Sequence, residues 1–425
     1  MKVLVTGLFE PAALHAIRRF GQLGYEVHTA EGHLLAFAGF SKYVSKRNRI
    51  RNMRYFPQQY AEGLLRLLES GEYDYYFPGY EEILLMSHYR DRILAAVKTT
   101  LPDIGTLMQL HDKGHFEQLA QQVGIDTPKT LLPQSADEAR RIMADVQLPV
   151  VIKQRKTSGA AGFRIVDDRK HLEKQYFDVV AVNRLDEDNL PMLQEFIAGP
   201  TTCTLHLCRE GRVAGEVMYR GVRTMPRSGG TTVLRESIHD DASSAAASKI
   251  IEHLGFTGLC GFDFIIDERT GKPFLVDGNC RVTPALSMAY FGGCDLVDAW
   301  IDIADGKMPD PLPQPKIGTR TKLQFADFVW LLESYLGSFK DWKGEHRLRK
   351  QWWRETEYYY DVASWSDPLP NIMIWVYILT NCYKLIFTKF DSAQLFIFHN
   401  QYLEHPFLKE LAPSKPAVAE QRQES

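Results

Sequence analysis

Asp263, Asp277 and Asn279 are oxygen-bearing side chains whose spacing could hold a metal ion. They sit in segment 258–284, GLCGFDFIIDERTGKPFLVDGNCRVTP. Apolar runs on either side of Arg269-Thr270-Gly271 predict a hairpin with strands over 260–267 and 273–279. A turn centred on Thr270 puts Asp263 directly opposite Asp277. Side chains alternate along a strand, so Asn279 joins them on the same face. Directly opposed residues have Cβ atoms roughly 4.5–5.5 Å apart, and two carboxylates at that distance repel. A hard divalent cation removes the repulsion. An oxygen-only donor set suits Mg²⁺, with Mn²⁺ as the alternative ion, and leaves positions for phosphate oxygens. Arg281 continues the same face and could meet a phosphate or acyl-phosphate oxygen. The competing reading leaves the acids on a solvated face, with Phe262, Phe264, Phe274 and Val276 buried. It is disfavoured because Ile265 and Leu275 would then be exposed beside the acids.

A second group of residues suits phosphate. Residues 148–154, LPVVIKQ, read as an apolar strand carrying Lys153. Small residues follow, Thr157-Ser158-Gly159-Ala160-Ala161-Gly162, and then a strand over 164–166. A loop of that composition can present backbone N–H groups to phosphate oxygens, and Lys153 would add its charge. The pattern is not GxxxxGK[ST], so it is not a P-loop. The plainer alternative makes Lys153 an ordinary strand-end residue. Residues 191–197, PMLQEFI, then Ala198-Gly199-Pro200, read as a strand running into a turn whose backbone could serve an adenine edge.

The elements that must position these groups begin at the N-terminus. Residues 2–6 read as a strand. Leu14, Ile17, Phe20 and Leu23 then mark a helix that ends at Gly24, and 25–29 reads as the next strand. The alternation returns as a helix at 61–69 and a strand at 73–78, which predicts a doubly wound α/β domain. Its first turn is not GxGxxG, so a dinucleotide site is a weak reading. Pro78-Gly79-Tyr80-Glu81-Glu82 follows a strand, where open α/β sheets bind ligands. The two glutamates could hold a substrate amine or simply favour the start of a helix. Lys42 to Arg54 carries six basic residues and reads as a solvated surface segment.

Taken in order, these segments resemble the ATP-grasp superfamily and, within it, the carboxylate–amine ligases with a core of the carbamoyl-phosphate synthase and biotin carboxylase type. The resemblance covers residues 1–305. Asp112-Lys113 is similar to the first ATP lysine at the start of a helix, and Pro149–Lys153 to the strand carrying the second. Residues 157–162, with Ser158, Gly159 and Gly162, resemble the flexible glycine-rich loop. Gln194-Glu195-Phe196-Ile197-Ala198-Gly199 resembles the adenine hinge. Asp263, with Asp277-Gly278-Asn279-Cys280-Arg281, resembles the metal-binding strands, where the family often has Glu-x-Asn-Pro-Arg. The acidic residue that usually follows the hinge glycine and binds ribose is replaced by Pro200-Thr201-Thr202-Cys203.

The resemblance implies ATP and Mg²⁺ as cofactors and small-molecule carboxylate and amine substrates. A carboxylate would attack the γ-phosphate to give an acyl phosphate, and an amine would then displace phosphate. Lys113 and Lys153 would hold the phosphates, and Arg281 would act on the acyl phosphate. Segment 220–236 would be a substrate loop offering Arg223, Arg227 and Arg235. The competing activities are bicarbonate activation, as in a carbamoyl-phosphate synthase or carboxylase, and a non-catalytic ATP-binding regulator.

Length and composition fit this plan. The 425 residues exceed one hydrophobic core. The implied organisation is a pre-ATP-grasp α/β domain over 1–105, an ATP-grasp domain over 106–308, a mostly helical aromatic-rich extension over 309–412, and a disordered tail over 413–425. A net charge of −3 argues against nucleic acid as a partner. Six cysteines without CxxC spacing, and no visible secretory signal, suit a cytoplasmic protein. A homodimer is compatible with all of this. Residues 371–390 are the most apolar stretch, but their uninterrupted apolar run is only Ile372–Leu379. A packed helix is therefore expected, with a membrane-interface helix as the lesser alternative.

Overall fold

The computed structural model describes residues 1–156, 162–225, 231–336, 342–387 and 407. The N-terminal sheet has four parallel strands among these residues, in the order Val44–Arg49, Glu26–Glu31, Lys2–Val5, Tyr75–Phe77. Val3, Leu4 and Val5 are all fully buried, as a central parallel strand requires when helices cover both faces. Helix Pro11–Gln22 packs on one face and helix Pro57–Leu68 on the other. The chain changes direction between Lys2–Val5 and Tyr75–Phe77, which opens a crevice at their C-terminal ends. Gly7 and Gly79 meet there. A Cβ on Gly79 would lie 2.2 Å from the Thr6 carbonyl oxygen, so only glycine permits the approach.

The basic stretch 42–54 is more than a solvated segment, because Val44–Arg49 is a strand of this sheet. It is the edge strand, where exposed cationic side chains discourage pairing with another chain. Its charges hid it from a hydrophobic-pattern reading.

The central region forms two lobes. The smaller holds an antiparallel sheet in the order Thr130–Leu131, Met192–Glu195, Val150–Lys153, Arg164–Val166. Helices Ala136–Asp145 and Arg169–Asn183 cover it and share a separate core with Val150, Ile152 and Leu193. The larger lobe is a seven-stranded sheet among the described residues. Its order is Pro273–Asn279, Gly258–Ile266, Thr201–Arg209, Arg212–Met225, Thr231–Ile238, Arg320–Lys322, Tyr359–Tyr360.

The last two strands of that sheet come from beyond Pro315, so the extension continues the central sheet instead of standing apart. Its helices are Gln324–Leu336, Trp342–Arg354 and Leu369–Phe387. The third buries Ile374 and Ile378 against the main core. Among the described residues no helix is long and apolar enough to cross a membrane. Residues 413–425, expected to be disordered, lie outside the described residues.

The N-terminal sheet is joined firmly to the larger lobe. Trp300, on helix Leu296–Ala304, inserts edge-on against Phe77 at 5.0 Å and donates its indole N–H to Thr100 Oγ1 at 2.7 Å. The extension is tied in as well. Asp367 accepts from Arg18 Nε at 2.9 Å, Ser41 Oγ at 2.7 Å and the Lys42 backbone N–H at 2.8 Å.

Candidate active site

Between the lobes and the N-terminal crevice lies a cavity of about 360 Å³. Asp263, Asp277 and Asn279 all line it, with Lys113, Lys153 and Arg281. Asp263 pairs with Asp277 in the hairpin register, and Gly261 with Asn279, as the turn position predicts. Beyond that pair the register slips by one, and Phe264 faces Leu275. Val276 is therefore a bulge residue. Leu275 turns into the buried core instead of sharing the acids' face, while Val276 lines the cavity, the reverse of strict alternation. The bulge also turns the Val276 carbonyl toward Lys153 Nζ, 3.4 Å away.

The carboxyl of Asp263 is pushed up to about 6, first by burial and then by the Asp277 charge; hydrogen bonding to Cys203 and the charges of Lys153 and Arg281 oppose this. Two facing carboxylates suit a cation between them. Among the described residues no three His, Cys, Asp or Glu side chains cluster tightly enough to hold a metal by themselves. Two aspartates and an asparagine leave most of an octahedral ion's positions to phosphate and water, the usual situation for Mg²⁺. The donor set therefore fits this ion.

The two lysines approach from opposite sides. Asp112 caps helix Lys113–Gln122 and orients its first residue. Lys113 Nζ lies 3.2 Å from Asp277 Oδ1. Lys153, at the end of strand Val150–Lys153, donates to Gln194 Oε1 at 2.8 Å. Burial lowers Lys153 to about 8; the Asp277 and Asp263 charges work against the shift and Lys113 adds to it. Arg281 stacks on the Tyr80 ring at 4.4 Å and has its Nε 3.6 Å from Glu81 Oε1.

The paired glutamates divide the work. Glu82 holds its own turn, accepting from Thr6 Oγ1 at 2.5 Å and from the Gly79 N–H at 2.8 Å. Glu81 lines the cavity. Glu10, at the end of the neighbouring loop, is pushed up to about 8 by burial, against the pull of Arg281 and with the help of Glu81 and Glu82.

Other expected residues sit elsewhere. Ser158, Gly159 and Arg227 lie outside the described residues. Gly162 has φ +69° and packs against Gln154, where a Cβ would be 2.4 Å from Gln154 Nε2. In the hinge, only Gln194 reaches Lys153. Glu195 and Phe196 put their side chains on the wall of a separate cleft with Lys129 and Arg269, and Ile197 is buried. The Glu195 N–H is taken by the Lys129 carbonyl at 2.8 Å. Arg223 and Arg235 are not among the residues lining the cavity. They form buried ion pairs with Asp327 and Asp361, because the extension supplies the carboxylates expected from a ligand.

Several cavity residues escaped the sequence reading. Cys203 pairs with Asp263 across the sheet, and Tyr219 pairs with Cys203 on the next strand. Extending the hairpin register to neighbouring strands would have found them, but strand order is not written in a single sequence. Gln154 and His111 line the cavity too. Each is 7% exposed, and neither Gln154 Nε2 nor His111 Nε2 has a hydrogen-bond partner among the described residues. Burial lowers His111 to about 4, so it is neutral at pH 7.

Comparison with known proteins agrees with this geometry. Residues 110–285 match the family described as ATP-grasp domain. The arginine-specific carbamoyl phosphate synthase large chain of Bacillus subtilis is 22% identical over 293 residues, covering 65% of this chain but 26% of that protein. The chain thus spans about a quarter of that relative's length. Among solved structures, the biotin carboxylase domain of Hydrogenobacter thermophilus 2-oxoglutarate carboxylase, in complex with MgADP and bicarbonate, superposes with a TM-score of 0.62. It is 19% identical, covering 75% of this chain and 73% of that one. An L-amino acid ligase from Bacillus licheniformis gives a TM-score of 0.56 at 16% identity, covering 71% of this chain and 74% of that one. Residues 110–285 thus carry an ATP-grasp domain, and the α+β ATP-grasp fold lies at the centre of the chain.

Proposed function

We propose that this protein is an ATP- and Mg²⁺-dependent ligase that activates a carboxylate as an acyl phosphate and joins it to an amine. The observation that carries the reading is the convergence of Asp263, Asp277, Asn279, Lys113, Lys153 and Arg281 on one cavity. Such groups do no covalent chemistry. They hold a triphosphate and neutralise charge as it moves.

Asp263, Asp277 and Asn279 would hold Mg²⁺, which when bound would supply neutralising charge to the phosphates. Lys113 and Lys153 would grip the phosphates from the two sides, Lys113 exchanging its contact with Asp277 for one with phosphate. The substrate carboxylate oxygen attacks the γ-phosphorus, the bond to the β-phosphate oxygen breaks, and ADP leaves. Arg281 would steady the acyl phosphate. The amine nitrogen then attacks the acyl carbon, the C–O bond to phosphate breaks, and the amine loses a proton. Glu81, on the cavity wall beside Arg281, suits the amine end. Thr201, on the cavity wall past the hinge, offers a hydroxyl to ribose in place of the missing acid.

A bicarbonate-activating reading draws support from the carbamoyl phosphate synthase and the bicarbonate-bound carboxylase domain among the similar proteins. ADP release, measured over a panel of carboxylates, amines and bicarbonate, separates the two. Release that requires both a carboxylate and an amine supports the ligase, and release with bicarbonate alone supports the second reading. Failure to bind Mg-ATP in calorimetry would overturn both.

A further inference from the structure

The extension beyond residue 309 reaches the substrate cavity through two buried arginines. Arg223 and Arg235 lie on the hairpin strands Arg212–Met225 and Thr231–Ile238, whose Thr224, Thr231 and Thr232 line the cavity. Arg223 Nε donates to Asp327 Oδ1 at 2.7 Å, and Arg223 Nη1 lies 2.6 Å from Glu355 Oε2. Asp327 is fully buried and also takes the Trp352 indole N–H at 2.6 Å and Lys322 Nζ at 2.8 Å. Arg235 Nη2 donates to Asp361 Oδ2 at 2.8 Å. The other Asp361 oxygen accepts from Ser287 Oγ at 2.7 Å. Ser287 is on helix Ala285–Phe291, directly after the Arg281–Pro284 turn that forms the opposite wall.

The backbone needs these anchors. The ladder between the two strands shifts register on both sides of Arg223, between Gly221 and Arg223 and again between Arg223 and Thr224. A strand irregular at that point is not fixed by its own hydrogen bonds, so the direction of Thr224 depends on where the Arg223 side chain is held.

We propose that the extension is a positioning element of the substrate site. Asp327 and Asp361, acting through Arg223 and Arg235, hold the Thr224 and Thr231–Thr232 end of the hairpin against the Arg281 turn and thereby set the acceptor end of the cavity. Neither acid touches a substrate. The proposal rests on the ligase reading only for which substrate feels the change.

The test uses the full chain with Asp327→Asn and, separately, Trp352→Phe, which removes one hydrogen bond to Asp327 and keeps an aromatic ring beside Lys322. Amide hydrogen exchange is compared over 219–225 and 231–236 against the metal hairpin, 258–279. The expected result is exchange at least about tenfold faster in the first two segments only, corresponding to a local loss of about 1.4 kcal/mol. Mg-ATP affinity should stay within about twofold while KM for the amine rises, since the nucleotide groups lie on other strands. Asp327→Glu should restore part of the effect. Unchanged exchange, or equal acceleration across all segments, would overturn the proposal and leave the ion pairs as structural support alone. If Asp327→Asn does not fold, Trp352→Phe decides. If no carboxylate–amine pair yields ADP, the ligase reading fails, while the exchange contrast still judges the positioning role.

Discussion

Asp277 is where several demands meet. It faces Asp263, lies 3.2 Å from Lys113 and accepts its neighbour Gly278's N–H at 3.0 Å. Asp277→Asn is expected to abolish ADP formation with little change in the melting temperature, because it also relieves the repulsion at Asp263. Turnover at the wild-type rate would remove the metal assignment. Glu10 gives a second prediction. Its carboxyl is held at about 8 in the folded protein against an ordinary 4.5. Stability from the neutral form is complete below the ordinary value and is lost as pH rises through about 8. Glu10→Gln has no proton to lose, so the wild type should fall behind it in melting temperature between pH 5 and pH 9. A constant difference across that range would show that the fold does not hold Glu10 in its acid form. At this scale the metal acids were legible, since period-two alternation needs only a turn position. Glu10 was not legible, because its neighbours Glu81 and Arg281 come from distant parts of the chain.

At the scale of elements, turns are fixed by close backbone contact. The hinge turn is held to the metal hairpin by two hydrogen bonds, Ile266 N–H to Pro200 O at 3.0 Å and Glu268 N–H to Ala198 O at 2.9 Å. A Cβ on Gly199 would sit 1.8 Å from the Ile266 carbonyl oxygen. Gly199→Ala should therefore cost about 2–4 kcal/mol in urea unfolding and weaken Mg-ATP binding. A cost within about 0.5 kcal/mol would mean the turn relaxes freely. The sequence displays helices and central strands through their periodicity, as in Pro11–Gln22 and Lys113–Gln122. It concealed the Val276 bulge, because one extra residue inverts the alternation after it. It concealed strand Val44–Arg49, because an edge strand can carry charge along most of its length.

For the whole molecule, the extension is bound to the rest through charges buried on both sides. A fragment ending at residue 308 would strand Arg223 and Arg235 without Asp327 and Asp361. It would also uncover the core face on which Leu323, Phe325, Val362, Ile374 and Ile378 pack. The fragment is expected to be insoluble or loosely folded, as read by size-exclusion chromatography and thermal melting. A well-folded fragment would show that these arginines find other partners. Such pairings span 104 and 126 residues, and nothing in local periodicity announces them. This is why the arginines looked like substrate ligands.

The separate core of the smaller lobe has a mechanical consequence. Lys113 starts a helix that packs, through Phe116 and Leu119, into a core shared with the N-terminal sheet and the metal hairpin. Lys153 rides on the smaller lobe, whose core includes none of those residues. The two bodies touch at Asp112 and Arg155, paired at 3.0 Å, with the Lys113 N–H donating to the Arg155 carbonyl at 3.1 Å. Each lysine sits beside that contact on a different body, so the span between the two ammonium groups follows from how the two cores are set against each other.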